Sequence, residues 1–439
     1  MPSTLRNIVS LLPLVQLAAA QTGAFNIVTF NVAGLPPILN GNDIPGDKDT
    51  NTARIGQLLT QYGIDLVHVQ EDFNFHATLY ANDKHPHRTP TSGGVPFGSG
   101  LNTLSNFPYT DFERIKWDEC SNNESQDCLT PKGFTAMRVK FADGVWVDAY
   151  NLHADAGTSA ADLKARASNL RQVSDYIKTN SAGNPVLVFG DSNTRYTRAG
   201  DTPGIFGTEN GMKDPWIELV MKTAPAAGKD ALLCDNPSPN NTCEIVDKVW
   251  YRGSSAVSLQ ATTFEYAGDM FLQTDGNVLS DHDPVLVDFT WSLQGKLQVG
   301  DAFGGEFGTW FNDLDAVSKA SDGKVASVTL RGAERVDAIS MSLGSGETLT
   351  HGGTGGTAST LTLNAGETLT GATLCQGTKS GKVRIFYAQL RTSAGRNVST
   401  GTKTSDCVDK TAASGQSFVG FLGRAGDELD KLGFISTKA

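Results

Sequence analysis

VLVFGDSNTR at 186–195 is the stretch from which the fold is worked out: four apolar residues, Val186 to Phe189, reach Gly190 and stop on Asp191-Ser192-Asn193. A short apolar run bounded by turn-forming residues reads as a buried strand. Its polar ending is ordinary by itself, because Asp and Asn side chains hydrogen-bond their own backbone and tolerate turn dihedrals. Moving outward, the pattern recurs along the chain. Phe25–Phe30 runs into Asn31, Leu66–Val69 into Gln70-Glu71, Val145–Leu152 into His153 and Val246 into Asp247, while Ser280-Asp281-His282 precedes one more apolar run. Six such endings in one chain predict that the strand ends meet.

The residue types belong together chemically. Asn31, Glu71 and Asp281 offer oxygens, which suit a hard divalent cation such as Mg2+, or equally Mn2+ or Ca2+. A cation beside Glu71 polarises a phosphoryl oxygen and screens charge on the leaving group. His153, His282, Asp191 and Asn193 supply proton transfer and hydrogen bonds to non-bridging oxygens. Asp247 interrupts an apolar run, and an unpaired buried carboxylate is costly, so it predicts a cationic or N–H partner, naturally a histidine. The reaction implied is hydrolysis of a phosphoester.

The stretches TFNVAG (29–34), VQE (69–71), NLHAD (151–155), FGDSNTR (189–195), EIVDKVW (244–250) and SDHDPV (280–285) resemble the endonuclease/exonuclease/phosphatase superfamily. That superfamily includes deoxyribonuclease I, secreted neutral sphingomyelinases and inositol polyphosphate 5-phosphatases. The resemblance implies that Asn31 and Glu71 hold the metal with Asp281 nearby, and that His282, oriented by Asp247, lies against the scissile phosphate. It implies further that Asp191 aligns or deprotonates the attacking water, that Asn193 steadies the phosphoryl oxygens, and that His153 is a general acid or phosphate ligand. The implied fold is a four-layer α/β sandwich.

Local patterns agree with this α+β class. A helix is predicted near Ala53–Tyr62, ending at Gly63. Phe134–Phe141 and Val145–Leu152 read as a hairpin across Ala142-Asp143-Gly144. Asp162–Lys178 has helical spacing, with Leu163, Ala167, Leu170, Val173 and Ile177 on one side. After Trp291 the chain becomes rich in Gly, Thr and Ser and shows short strands at close intervals, which predicts an all-β domain. DAFGGEFG (301–308), RVDAISM (335–341), HGGTGGTASTLTLNAGE (351–367) and VGFLGRAGDELDKLG (419–433) resemble jacalin-type lectins, a β-prism of three sheets. The resemblance implies a sugar site at Gly304, Gly305, Gly426, Asp427, Glu428 and Asp430, with Asp430 accepting from sugar hydroxyls.

Arg6, the apolar stretch Ile8–Ala20 and the small residues before Gln21 have the order of a signal peptide, giving a leader over 1–20, a catalytic domain over 21–293 and a lectin domain over 298–439. The six cysteines, Cys120, Cys128, Cys234, Cys243, Cys375 and Cys407, lack zinc spacing and favour disulfides in a secreted, extracellular protein. Sequence neighbours suggest the pairs 120–128, 234–243 and 375–407, among fifteen possible connectivities. Sequons stand at Asn123, Asn240 and Asn397. No later apolar run reaches the roughly 20 residues that cross a bilayer. The formal charge of −11, without a Lys/Arg cluster, argues against a nonspecific polyanion binder.

Gln126-Asp127 followed by Lys132-Gly133 resembles the Asp-x-x-x-x-Lys-Gly segment of secreted sphingomyelinases. A phospholipid headgroup is therefore the favoured substrate. A nuclease acting on nucleic acid comes second and an inositol phosphatase third. The reading from another class is a lectin or adhesin with an inactive first domain. Glycans are the expected partners of the second domain, and oligomeric state is left open.

Overall fold

The computed structural model describes residues 21–39, 44–229, 232–320 and 324–438. The expected leader over 1–20 lies outside the described residues. Among the described residues, no helix is long and apolar enough to cross a membrane.

The first half contains eleven strands: β1 (Thr22–Asn31), β2 (Leu66–Gln70), β3 (His87–Arg88), β4 (Asn102–Ser105), β5 (Tyr109–Lys116), β6 (Gly133–Ala142), β7 (Val145–Leu152), β8 (Val186–Asp191), β9 (Asp247–Arg252), β10 (Val257–Tyr266) and β11 (Val285–Leu293). They form a six-stranded sheet in the order β10-β11-β1-β2-β4-β3 and a five-stranded sheet in the order β5-β6-β7-β8-β9. Alternation assigns the faces. Ile27, Leu66, Val147, Ala149, Leu187, Phe189, Val249 and Tyr251 meet in one core between the sheets. The out-of-phase residues Val28, Phe30, Val67 and Val69 pack with Ile55, Leu58 and Leu59 of α1 (Lys48–Gln61). On the other sheet Tyr150, Leu152, Val186 and Val188 pack with Leu170, Val173 and Ile177 of α2 (Ala160–Asn180). The result is the four-layer sandwich expected from sequence.

Both helices differ from their predicted spans or faces for polar reasons. α1 starts at Lys48, five residues before the predicted Ala53, because Asp47 caps it by accepting from the Thr50 N–H. α2 buries Asp162, Arg166 and Asn169 in place of Leu163 and Ala167. Arg166 pairs with Asp201 at 2.6 Å, and Asn169 accepts from the Asp155 N–H at 2.9 Å, so this half of the helix holds the chain that follows His153.

The second half is built of strands apart from one short helix, Leu314–Lys319, among the described residues. A four-stranded sheet comprises Val325–Gly332, Val336–Leu343, Thr348–Gly352 and Thr357–Thr362. The remaining strands form two further faces, joined through the single pairing Leu369↔Phe418, which completes the expected prism. Disulfides Cys120–Cys128, Cys234–Cys243 and Cys375–Cys407 are formed as the neighbour rule suggests.

The halves are docked. Only residues 294–296 separate β11 from the next strand, Leu297–Val299. Asp111 of β5 pairs with Arg138 of β6 at 2.9 Å and with Lys431 of the prism. The Arg138 guanidinium lies 3.3 Å from the Trp310 ring centroid, and Asn312 donates to Asn184 at 2.8 Å.

Candidate active site

The parity that builds the core also builds the site. Asn31 continues the inward face of Ile27, Asp191 that of Leu187 and Phe189, His153 that of Ala149, and Asp247 that of Val249 and Tyr251. Register then aligns them: Asn31 pairs with Gln70, His153 bridges Asp191, and Asp191 pairs with Asp247. Polar side chains thus replace apolar ones where the sandwich interior opens to solvent, as a cleft of about 500 Å³ lined by Glu71, Lys132, His153, Asp191, Asn193 and His282 among others. Asn31 and Asp247 are bonded to this lining from just beneath.

His282 is the best-held group. Its Nδ1 lies 2.7 Å from Asp247 Oδ2, and its Nε2 lies 3.9 Å from Asp191 Oδ2. Burial disfavours the imidazolium, but Asp247 and Asp191 outweigh it and push the ring's pKa well above the ordinary histidine value. The carboxylate–imidazole pair that Asp247 demanded from sequence is therefore present.

Asp191 is buried at the centre. Its Oδ2 accepts from Asn31 Nδ2 at 3.1 Å and lies 3.4 Å from His153 Nε2, while its Oδ1 accepts from the Asn193 N–H at 3.0 Å. Burial, and then Asp247, raise its pKa above the usual carboxylate range. Asn193 adopts φ 52°, in the left-handed region that Asn tolerates, and its Nδ2 donates to the Ala154 carbonyl at 3.1 Å.

His153 behaves in the opposite way to His282. It is buried, with Lys132 Nζ 3.1 Å from its Nε2. Burial, then Lys132 and His282, lower its pKa well below the ordinary value. A neutral His153 accepts from Lys132, which also pairs with Asp127 in the disulfide-closed 120–128 loop.

Glu71 accepts from Asn31 Nδ2 at 3.2 Å through Oε1, whereas its Oε2 is buried without a hydrogen-bond partner. Burial raises its pKa, against the pull of Lys132 and His282. An orphaned carboxylate oxygen beside an amide fits a hard cation. Asp281 is exposed at the same rim and, like Glu71, bears on the charge of Lys48. Among the described residues, one group, Asp191, Asp247 and His282, brings potential ligand atoms within 4.8 Å of one another. Within that trio His282 Nδ1 is already engaged by Asp247 at 2.7 Å, the geometry of a hydrogen-bonded relay.

Sequence reasoning overlooked two lysines. Lys132 entered only as part of a substrate resemblance, yet it is the donor facing His153. Lys48, from the first turn of α1, donates to the Ala33 and Leu35 carbonyls at 2.9 and 3.0 Å and holds the loop after β1. Only the cap at Asp47 signalled it.

In the prism, Gly305 N–H donates to the Asp430 carbonyl at 2.7 Å and Gly426 N–H to the Glu428 carbonyl at 3.0 Å, which brings the two expected sugar loops together. Gly304 has φ 130°, and a side chain there would meet the Asp430 carbonyl. The Asp430 carboxylate is buried, its Oδ1 making no hydrogen bond and lying 3.8 Å from Arg384 Nε. The Glu428 carboxylate, in the second of these loops, pairs with Arg335 at 2.8 Å and Arg384 at 2.9 Å.

Comparison with known proteins bears on both halves. Residues 26–222 match the Endonuclease/Exonuclease/phosphatase family 2 model and residues 300–435 the Jacalin-like lectin domain model. A sphingomyelinase of Mycobacterium tuberculosis is 37% identical over 275 residues, covering 61% of this chain and 53% of that protein, so the chain spans about half the length of the curated relatives it matches. Among solved structures, sphingomyelinase C from Streptomyces griseocarneus is similar at 18% identity over 61% of this chain and 99% of that one, with a TM-score of 0.44. Malaysian banana lectin is similar at 22% identity over 33% of this chain and 100% of that one, with a TM-score of 0.30. By the two family-model matches the chain carries an endonuclease/exonuclease/phosphatase domain followed by a jacalin-like lectin domain.

Proposed function

We propose that this chain is a secreted, divalent-cation-dependent phosphodiesterase that hydrolyses a phospholipid headgroup ester, sphingomyelinase-like, and that its second domain, over 298–439, binds glycans. The observation that carries the reading is the occurrence, at one cleft, of a hydrogen-bonded His282–Asp247 pair and a buried Glu71 with an unsatisfied oxygen. The likeness of the first domain to sphingomyelinases favours the phospholipid.

Asn31 and Glu71, with Asp281 at the rim, are the residues that would hold Mg2+ or a similar cation, which when bound supplies Lewis-acid polarisation of a phosphoryl oxygen. The chain's own groups do the rest. His282 donates a hydrogen bond from Nε2 to a non-bridging oxygen, while Asp247 keeps the ring oriented and charged. Asp191, made more basic than an ordinary carboxylate by burial, accepts the proton of the attacking water. Lys132 brings a second positive charge to the developing phosphorane, and neutral His153 positions that ammonium rather than acting as an acid. Asn193 and Asn31 fix the two oxygens of Asp191, so its orientation costs nothing at the moment of reaction.

The test compares the secreted protein on sphingomyelin vesicles, plasmid DNA and phosphoinositides, each with Mg2+ and with chelator. Expected are chelator-sensitive release of the phosphorylated headgroup from sphingomyelin and at least a hundredfold loss in His282→Ala. Cleavage of DNA alone would transfer the reading to a nuclease. Unchanged turnover in His282→Ala would remove the mechanism.

A further inference from the structure

The rim of the cleft is apolar in an unusual way. Ile38, Phe97, Leu39 and Leu129 are 92%, 84%, 61% and 58% exposed, and they are four of the eight large hydrophobic side chains so exposed among the described residues. They come from three separate loops: the one after β1, the one between β3 and β4, and the disulfide-closed loop before β6. Leu39, Leu129 and Val95, two residues from Phe97, line the same cleft as Glu71, His153, Asp191 and His282. Scattered single exposures need no explanation, but several converging on one opening mark an interaction site.

Two of these loops are held firmly. The Phe97 loop closes on itself through Phe97 and Gly98 N–H bonds to the Gly94 carbonyl at 2.8 and 2.9 Å, and the Leu129 loop is tied by Cys120–Cys128. Their side chains are therefore presented to solvent by a built scaffold. The exposed charges that flank these loops in sequence, Asp47 and Asp49 after the first and Glu124 in the third, are acidic, while Lys132 and His282 lie within the cleft. An anionic surface would be repelled.

We propose that Ile38, Leu39, Phe97 and Leu129 form a docking rim that inserts into a zwitterionic phospholipid bilayer and seats the cleft over the headgroup layer. The inference rests on the phospholipid reading above and adds to it the surface by which the lipid is reached. An apolar rim around a polar, charged cleft matches the order of a bilayer interface, where side chains reach acyl chains while the phosphodiester meets the polar groups. Burying one such side chain favours binding by roughly tenfold or more, so four together make a reversible anchor.

The full-length protein tests this with two substrates, sphingomyelin in phosphatidylcholine vesicles and soluble bis-p-nitrophenyl phosphate. Ile38→Ser/Phe97→Ser, at the two most exposed positions, is expected to lower the ratio of vesicle to soluble-ester turnover at least tenfold. Phe97→Trp is expected to gain a fluorescence component that shifts to the blue on adding phosphatidylcholine vesicles and is quenched by brominated acyl chains. An unchanged ratio, or an unshifted and unquenched component, overturns the docking rim. The substrate reading fails separately: wild-type protein that binds vesicles with the expected blue shift in Phe97→Trp, yet cleaves sphingomyelin neither there nor in detergent micelles, keeps the rim and loses the substrate.

Discussion

Asp111→Asn isolates the charge that clamps the two domains together. Asp111 sits at φ 56° in an irregular stretch of β5, a backbone state that Asn tolerates as well as Asp. Its N–H still donates to Glu306, at 3.0 Å, so the change removes charge without altering shape. What it leaves behind is unequal. Arg138 keeps Asp148 at 3.1 Å, and Arg424 keeps Glu113 at 3.6 Å, whereas Lys431, only 6% exposed, has Asp111 as its carboxylate partner. Breaking a buried pair by removing one member costs about 3–5 kcal/mol, mostly the penalty of the orphaned charge. An Asn oxygen still accepts one hydrogen bond, so the lower end, about 3 kcal/mol, is expected. Lys431→Met in the Asp111→Asn background removes the orphan and should recover most of that loss. The assay is urea unfolding of all four members of the cycle, followed by tryptophan fluorescence. A coupling of at least about 2 kcal/mol supports the clamp, and additivity within about 0.5 kcal/mol refutes it. The acid limb gives a second readout. Burial opposes ionisation of Asp111, but Arg138, Lys431 and Arg424 hold its carboxyl below the usual range. Its stabilisation is therefore complete above the unfolded carboxylate value near about 3.9 and lost as pH falls through the lower folded value. The variant should lack that limb.

Two further outcomes follow from the sites. Asp247→Asn removes a charge-assisted hydrogen bond to His282 and should lower kcat on a soluble diester by roughly 10- to 150-fold, with the imidazolium now lost at lower pH so that the alkaline limb of the pH–rate profile moves towards neutrality; an unmoved limb would contradict the pairing. Asp430→Ala should abolish retention on immobilised neutral glycans while soluble-ester turnover stays within about twofold, and retention equal to wild type would dismiss Asp430 as a sugar ligand.

The candidate site was legible because its signals are local. Each of Asn31, His153, Asp191 and Asp247 ends or begins an apolar run, and period-two alternation alone sends it to the interior side of its strand. Asp247 even demanded a partner, since a carboxylate inside such a run has to be paired. Lys132 and Lys48 were less legible because their value lies in where loops and a helix start bring them, and a lysine beside Pro131 or Asp47 reads as solvated surface. The buried polar face of α2 was misread for a similar reason: Arg166 and Asn169 look exposed until Asp201 and the Asp155 backbone are placed against them. The domain clamp was invisible. Asp111 and Lys431 are separated by 320 positions, and each taken singly is an ordinary charge on a strand. The ion pairs of Glu428 were invisible too, because nothing local announces Arg335 and Arg384 as its partners.

The position of the clamp constrains what the prism does. The contacts across the boundary run along the sandwich from the β6–β7 turn, where Lys140 and Trp146 reach Asp301, past Asn184, which meets Asn312, and Asp111, which meets Lys431, to Glu113, 3.6 Å from Arg424. The cleft lies where β7 and β8 end. The clamp at Arg138, in register with Asp148, is five residues of chain from His153, roughly 16 Å at about 3.3 Å each. No residue of the prism lines the cleft among the described residues. With three residues between the last strand of one domain and the first of the next, no flexible tether sets the reach either. Under the proposed glycan binding, the prism raises the effective concentration of the cleft at a glycosylated surface. Deleting residues 298–439 would be a poor probe of that arrangement, because it uncovers Asp111 and Arg138 and strips the ring from the guanidinium. Loss of activity after deletion would mix lost targeting with a damaged sandwich, whereas Asp430→Ala changes the prism loop and leaves the clamp intact.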